Sequence, residues 1–295
     1  MTAVRLTGLC RRNTIKNDKE KNTARRQPLS AASYRQKEAL MILGIDIGNT
    51  NIVLGCIDNG EIRSIVRLHT DLHATSAEYA IRLRQILDLY DIDPQGFEGA
   101  ILSSVVPPVS AVMLAAVKKV TGVTCMVVGP GMKTGLNVRI DDPGTLAADL
   151  VVGSVAAMTC YGPPVIVVDM GTAITIVVVD KNGAYRGGAF MPGVKLSYEA
   201  LSSGTSLLPD ISLAVPKKVI GTNTVDALLS GAVFSTAAAI DGMVERMEAE
   251  LGYPCNVVAT GGLARFITPF CKREILCDND LLVKGLWVLY QKNKK

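Results

Sequence analysis

Apolar and polar residues follow two different spacings along the chain, and together these spacings predict an α/β fold. Short runs rich in Val and Ile, bounded by Gly and Asn turns, predict strands over residues 42–47, 52–57, 61–67, 99–103, 125–128, 165–169, 175–180, 184–190 and 256–260. Apolar positions three and four residues apart predict helices over residues 76–90, 108–121, 146–158, 194–202 and 225–251. The helix over 146–158 connects two stretches with similar element order.

Two of these helices have distinct ends. Thr75 and Glu78 have the spacing of a capping box, which predicts the start of the first helix. In the last helix the apolar positions from 225 to 251 fall on one face, and Gly252 with Pro254 ends it.

One short phrase occurs twice, each time after an apolar strand pattern. The first copy is Ile45-Asp46-Ile47-Gly48-Asn49-Thr50, and the second is Val168-Asp169-Met170-Gly171-Thr172. Each copy leads into a second β-branched run and then an Asn-Gly turn. Asp46 and Asp169 are 123 residues apart, and so are Gly60 and Gly183. The whole strand, turn and hairpin therefore recurs in register, which indicates an internal duplication.

The chemistry of the repeated phrase favours phosphate binding. Gly lets a ligand approach the backbone closely, Thr adds a hydroxyl, and Asp can hold a hydrated cation. Two such hairpins facing each other can clamp one nucleotide. For a single copy, an ordinary hairpin with a polar turn is an equal alternative, and the duplication favours the nucleotide.

Two common phosphate-binding loops are excluded by spacing. The chain contains no Gly-x-x-x-x-Gly-Lys-Ser/Thr, and no Gly-x-Gly-x-x-Gly opens a helix after the first strand. The segment Thr260-Gly261-Gly262 follows a predicted strand and suits close approach of the backbone to an adenosine, with a plain turn as the alternative.

Asp149 is the acidic residue at the start of an otherwise apolar predicted helix. A carboxylate near a helix N-terminus is expected to stay ionised at neutral pH. Asp149 is therefore a candidate acceptor for the proton of an attacking hydroxyl, and its alternative role is only to balance the helix dipole.

These motifs, taken in order, resemble those of the type III pantothenate kinases. The matching segments are Asp46 to Thr50, Lys133-Thr134-Gly135-Leu136-Asn137, Ala147-Ala148-Asp149, Asp169 to Thr172, Gly187 to Gly193, Gly221-Thr222-Asn223-Thr224 and Thr260-Gly261-Gly262. The resemblance implies duplicated actin-like/ribonuclease H-like domains, related to those of sugar kinases, with a nucleotide cleft between them. The expected halves are residues 41–150 and 151–295.

The resemblance also implies an activity, which is ATP-dependent phosphorylation of pantothenate to 4'-phosphopantothenate, the first step of coenzyme A biosynthesis. Asp149 matches the family's proton acceptor. Asp169 matches the position for a monovalent cation, K+ or NH4+, and Asp46 would hold Mg2+ through water. The implied nucleotide contacts are Asp46, Ile47, Gly48, Asn49, Thr50, Asn51, Ile52, Val53, Thr172, Gly261 and Gly262. The implied substrate contacts are Ala147, Ala148, Asp149, Leu150 and Thr224.

Two departures from the family pattern concern the acceptor pocket. The family commonly has Arg where Leu150 stands and Tyr where Ile140 stands, so the carboxylate of pantothenate lacks one expected partner. Thr224 has helix N-capping as a competing role. A second interpretation of the chain is a non-catalytic relative that binds a ligand or protein partner as a regulator, and retention of Asp46, Asp149 and Asp169 disfavours it.

Charge and composition bear on partners and compartment. Residues 1–40 carry a net charge of +7 and the remainder −3, so we expect a disordered basic leader and no nucleic-acid partner. No apolar stretch approaches the ~20 residues of a membrane span, so no membrane partner is expected. The seven scattered cysteines resemble buried thiols in a reducing compartment, which predicts a cytoplasmic location. The family resemblance and the long apolar helix predict a homodimer.

Overall fold

A computed structural model describes residues 41–294, and the expected leader lies outside that range. Five strands form the first sheet, sheet A, in the order β3-β2-β1-β4-β5. Strand β1 is antiparallel to β2 and parallel to β4. The strands are β1 (Met41–Ile47), β2 (Asn51–Asp58), β3 (Glu61–His69), β4 (Phe97–Ser104) and β5 (Cys125–Val127).

The second sheet, sheet B, repeats this arrangement. Its order is β11-β10-β7-β8-β9-β6, with β7 antiparallel to β8 and parallel to β10. The strands are β6 (Asn137–Val138), β7 (Val165–Met170), β8 (Ala173–Val179), β9 (Ala184–Pro192), β10 (Asn256–Thr260) and β11 (Leu276–Cys277). The predicted duplicated α/β fold is therefore confirmed, and the short edge strands β6 and β11 are additions that the sequence pattern did not reveal.

The constant spacing between the repeats hides two compensating differences. Asp46 pairs with Val53 across the first hairpin, whereas Asp169 pairs with Thr175, so the second β-turn is one residue shorter. The next turn restores the spacing, because Asn59-Gly60 is a two-residue loop and the corresponding loop between Asp180 and Ala184 has three residues.

Eight helices cover the sheets within the described residues. They are α1 (Ser76–Leu89), α2 (Pro107–Thr121), α3 (Ala148–Tyr161), α4 (Val194–Gly204), α5 (Thr224–Ser230), α6 (Thr236–Leu251), α7 (Ala264–Ile267) and α8 (Leu281–Asn293). The capping box predicted at α1 is confirmed, since Thr75 Oγ1 accepts from the Glu78 N–H and Glu78 Oε2 accepts from the Thr75 N–H.

The layers alternate between helices and sheets. Helices α1 and α2 pack on one face of sheet A, and α6 packs on the far face of sheet B. Helices α3 and α8 form a shared middle layer, whose apolar core includes side chains from both sheets. The tight α3–α8 crossing requires Gly285, because a Cβ there would overlap the Val152 backbone.

Helix α8 was missed by sequence periodicity. Eight of its residues are buried, so it has no single apolar stripe against a polar face. It packs on α3, β1 and β4, which returns the C-terminal part of the chain to sheet A. The predicted halves, residues 41–150 and 151–295, therefore share contacts, because α8 from the second half packs on sheet A of the first.

The long helix predicted over 225–251 is confirmed as a continuous helix, Thr224–Leu251, in which a π-helical turn (Gly231–Ser235) joins α5 to α6. Leu229, Val233, Ile240 and Val244 are buried, whereas Val225 is 46% exposed, so only part of its apolar surface packs on sheet B. By length and composition this helix is long and apolar enough to cross a membrane, contrary to the prediction that no apolar stretch approaches that length. A core helix of a folded domain passes the same test.

The cysteines differ from the expectation of uniformly buried thiols. Cys56 is buried, Cys125, Cys255 and Cys271 are half-buried, and Cys277 is exposed. All five carry free thiols.

Candidate functional site

The two repeated turns meet at their tips. Thr50 Oγ1 and Thr172 Oγ1 are 2.8 Å apart and share a hydrogen bond. Within each turn the glycine N–H closes the loop, since Gly48 donates to the Asn51 carbonyl (2.9 Å) and Gly171 to the Ala173 carbonyl (3.0 Å). The structure therefore brings the two predicted phosphate-binding turns face to face.

The other predicted nucleotide contacts around the first turn differ in their exposure to solvent. Ile47 and Ile52 are buried and pair with each other at the ends of β1 and β2, so they support the turn. Asn49 and Asn51 are exposed at its tip, and Val53 is half-buried opposite Asp46. Polar groups at the tip, together with Thr50, are thus available to a ligand between the turns.

Three carboxylates, those of Asp46, Asp149 and Asp169, influence one another near these turns. Burial raises the pKa of Asp46 to about 7, with contributions from the charges of Asp149 and Asp169. Burial also raises the pKa of Asp169 to about 6, and the charge of Asp149 adds to that shift. Three acids in one buried region repel each other when ionised, and bound cations would remove that repulsion.

Asp46 has an unsatisfied oxygen. Its side chain lies at the end of β1 opposite Ser103 on β4, and the Ser103 hydroxyl opposes the rise in its pKa. Neither Asp46 Oδ1 nor Ser103 Oγ reaches hydrogen-bond geometry with any partner among residues 41–294. A buried, orphaned carboxylate oxygen fits a cation or its water shell.

Asp169 lies against Gly261 of the Thr260-Gly261-Gly262 segment. Gly261 has a φ of +94°, and a Cβ there would be 2.5 Å from Asp169 Oδ1 and 2.6 Å from the Met170 carbonyl oxygen. Glycine is therefore required by both conformation and space. Gly262 is exposed, and a Cβ there would meet no atom within 4 Å, which leaves room beside the turn.

Asp149 occupies the first turn of α3 and lines an internal cavity with Asp169. The other lining residues are Leu150, Gly153, Ser154, Val167, Thr175, Val177, Thr260 and Leu282. Burial raises the pKa of Asp149, although the Leu150 N–H donates to Asp149 Oδ1 (2.7 Å) and opposes the shift. The expected lowering by the helix terminus is thus outweighed by desolvation, and the higher pKa makes a better proton acceptor.

The other predicted substrate contacts on α3 surround its N-terminus. Ala147 is the N-cap and provides no side-chain cap, and Ala148 is half-buried in the first turn. Leu150 packs against the shared apolar core. A leucine suits this position because it faces apolar neighbours in the middle layer.

Thr224 is not brought to this cavity within one chain. It lines a separate open pocket with Leu208, Gly221, Thr222, Asn223, Ala227 and Leu228. Its competing role as helix N-cap is wrong, because Asn223 is the cap and its Oδ1 accepts from the Asp226 N–H (2.9 Å). Thr224 is instead the first residue of α5.

The family model for type III pantothenate kinases matches residues 42–246. A type III pantothenate kinase of Halalkalibacterium halodurans is 42% identical over 253 residues, which cover 86% of this chain and all of that protein. The chain belongs to the type III pantothenate kinase family. The residues that the family model matches include both hairpins and Asp149.

Solved structures with low identity support the fold alone. The putative Baf family transcriptional activator from Campylobacter jejuni is 21% identical, with a TM-score of 0.51 over 85% of this chain and 98% of that one. Component A of the (R)-2-hydroxyglutaryl-CoA dehydratase of Acidaminococcus fermentans is 15% identical, with a TM-score of 0.53 over 85% and 97%. The chain therefore shares its overall fold with both of these proteins.

Several polar residues near the carboxylates were missed by sequence reasoning. Ser103, Ser154 and Thr175 belong to no motif and come from different elements, so only the tertiary structure places them here. Tyr185 is a further case, since burial and the charge of Asp149 raise its pKa to about 12. The one available signal was Thr260, which precedes the recognised glycine pair.

Proposed function

We propose that this chain transfers the γ-phosphoryl group of ATP to the terminal hydroxyl of pantothenate and yields 4'-phosphopantothenate, the first step of coenzyme A biosynthesis. The observation that carries the proposal is the convergence of Asp46, Asp149 and Asp169 beside the paired turns of a chain of this family. The turn residues, including Thr50 and Thr172, bind the phosphates of ATP. Gly261 and Gly262 form the side of the site next to the nucleoside.

Asp149 accepts the proton of the attacking hydroxyl. Its half-buried position and raised pKa suit that role, because a base with a pKa nearer the working pH accepts a proton more effectively in the transition state. The apolar residues around it, Leu150 and Leu282, exclude water from the cavity. The small side chains of Ala147 and Ala148 leave space for the acceptor at the N-terminus of α3.

Two cations complete the site. The orphaned Asp46 oxygen fits Mg2+ bound through water, and Asp169 in its hydroxyl-lined cavity fits K+ or NH4+. When bound, these cations neutralise the charge on the phosphates and on the carboxylates. Asp46 would hold the divalent ion and Asp169 the monovalent ion.

The active form is a homodimer. Exposed large apolar residues are concentrated between positions 190 and 225, and a patch of this kind is typical of a protein interface. They are Phe190, Leu196, Leu201, Leu207, Val215, Val219, Ile220 and Val225. Thr224 lies in this region, away from the Asp149 cavity of its own chain, so a second copy would supply it to the acceptor pocket.

The remaining assignments concern partners and compartment. The substrate is a small molecule, and neither nucleic acid nor membrane takes part. The compartment is the cytoplasm, as the scattered spacing of the cysteines in the sequence predicts.

The test is an assay of purified protein with ATP, Mg2+ and K+ against a panel of small hydroxy acids, with products identified by mass. We expect phosphate on pantothenate alone or with clear preference. Preference for another hydroxy acid would reassign the acceptor and would trace to Leu150 or Ile140. ATP binding without any phosphorylated product would favour the regulatory interpretation.

A further inference from the structure

Each repeated aspartate has a hydroxyl residue as its partner on the neighbouring parallel strand. Asp46 on β1 pairs in register with Ser103 on β4. Asp169 on β7 pairs in register with Thr260 on β10. The duplication therefore extends beyond the hairpins to a second pair of residues, although the local sequences around Ser103 and Thr260 differ.

Both hydroxyl residues are buried, and each lies beside a buried side-chain oxygen that has no hydrogen-bond partner in the described part of the chain. Ser103 is 0% exposed and Thr260 is 2% exposed. Ser103 Oγ has no hydrogen-bond partner in the described part of the chain, and the adjacent Asp46 Oδ1 has none either. Thr260 lines the Asp169 cavity, where Ser154 Oγ is fully buried and has no hydrogen-bond partner among residues 41–294. Unpaired buried hydroxyls are costly, so a bound group at both places would account for them.

The two aspartates differ in their partner on the antiparallel strand. Asp46 has the apolar Val53 on its antiparallel side, whereas Asp169 has Thr175 there. Asp46 is thus flanked by one hydroxyl and Asp169 by two, with Ser154 in the same cavity. A small divalent ion that keeps its water needs few protein oxygens, whereas a larger cation stripped of water needs several neutral oxygens to replace it.

We propose that Ser103 and Thr260 serve the two cations separately, with Ser103 positioning the Asp46 carboxylate for magnesium–nucleotide and Thr260, with Thr175, completing the monovalent-cation site at Asp169. This inference rests on the proposed function for the identity of the cations. It adds hydroxyl residues of the neighbouring strands to the site formed by the aspartates.

The test compares Ser103→Ala with Thr260→Val in the full chain. Two binding readouts need no catalysis, namely the rise in melting temperature with K+ at constant ionic strength, and ATP affinity as a function of Mg2+. Steady-state kinetics then give the activating concentration of each cation. We expect Ser103→Ala to raise the required Mg2+ concentration about tenfold and leave the K+ response unchanged, and Thr260→Val to do the reverse, as is usual for loss of a supporting group at a metal site.

Two further variants separate cation binding from folding. Thr260→Ser keeps the hydroxyl and restores the K+ response. Ser104→Ala is the matched control on β4, because its hydroxyl accepts from the Val106 N–H (2.9 Å) and bonds to Ser110 Oγ (2.7 Å), away from Asp46. It lowers the melting temperature without moving either cation response. Should Thr260→Val not fold, Thr175→Val carries the same expectation.

Unchanged responses to both cations, or equal shifts in both for each variant, would overturn the assignment. Its failure is distinguishable from failure of the proposed function. If wild-type protein binds ATP with Mg2+ and is stabilised by K+ but leaves pantothenate unmodified, the function fails while the variant comparison still decides the roles of Ser103 and Thr260.

Discussion

The two halves share a strand order and a strand-delivered aspartate, yet they differ in what surrounds it. In the first half, α1 and α2 cover the outer face of sheet A, and Asp46 lies between Val53 and Ser103. In the second half, Asp169 lies between Thr175 and Thr260, and the helices over sheet B leave apolar side chains exposed. The first half is thus covered by helices on its outer face, whereas the second half surrounds its aspartate with hydroxyls and keeps exposed apolar side chains.

Asp149, the proposed general base, belongs to neither repeated hairpin. Asp149 lies on α3, which is in the middle layer shared by both sheets. Its position follows from the chain crossing between halves at this point. Duplication therefore accounts for the two similar hairpins, while the proposed base lies on a segment that the repeat does not contain.

The largest expected effect tests this separation of roles. Asp149→Asn should lower turnover about one hundred- to ten thousand-fold while nucleotide binding and melting temperature stay near wild type, because a positioned base contributes that much and Asn is nearly isosteric. Turnover is measured at saturating ATP, Mg2+ and K+. The comparison variants Asp46→Asn and Asp169→Asn should regain activity as Mg2+ or K+ is raised, whereas Asp149→Asn should not. Near-normal turnover would make Asp149 only a helix-start residue.

The second prediction tests the exposed surface of the second half. A Cβ on Gly231 meets no atom within 4 Å, so Gly231→Arg is accommodated in one copy but blocks close helix packing between copies. We expect a monomer by light scattering and a loss of turnover of about tenfold or more, as for an interface hot spot. Ala249→Arg, at an exposed position near the end of the same helix, is the matched control. An active Gly231→Arg dimer would exclude this face as the interface.

The third prediction compares the two turn hydroxyls. Thr50 and Thr172 bond to each other across the halves, so Thr50→Val and Thr172→Val should each weaken ATP binding by severalfold, in line with about 0.5–1.5 kcal/mol for a hydrogen bond. Calorimetry of both single variants and the double variant gives their coupling. Full additivity would indicate that the two hydroxyls act independently on the nucleotide.

The smallest effect is a pH dependence of stability in cation-free protein. Folding raises the pKa of Asp46 to about 7 and that of Asp169 to about 6, from an ordinary value of 3.8 for each, so the folded state binds more protons than the unfolded state over this interval. Stability is then full below about pH 4 for these two groups and is lost as pH rises towards 7. Asp46→Asn should flatten the upper part of this slope in melting curves. A slope unchanged in Asp46→Asn would assign it to other groups.

Local sequence patterns predicted most of the elements because their signals lie within a few residues of each other. The capping box at Thr75 and the helix up to Leu251 are examples. Helix α8 was missed because it is buried between two sheets and has no amphipathic stripe. Strands β6 and β11 were missed because two residues give too short a pattern.

The duplication, the two hairpin aspartates, the candidate base and the family can all be recognised from the sequence, because each depends on residue identity at short or constant spacing. The positions of Ser103 and Thr260 beside those aspartates follow from the tertiary fold, since pairing between parallel strands joins positions far apart in the chain. The tertiary fold also places Thr224 away from the Asp149 cavity and leaves the apolar helix with an exposed face. These features depend on how whole elements pack, and local periodicity does not encode which face of a helix meets the core and which remains for a partner.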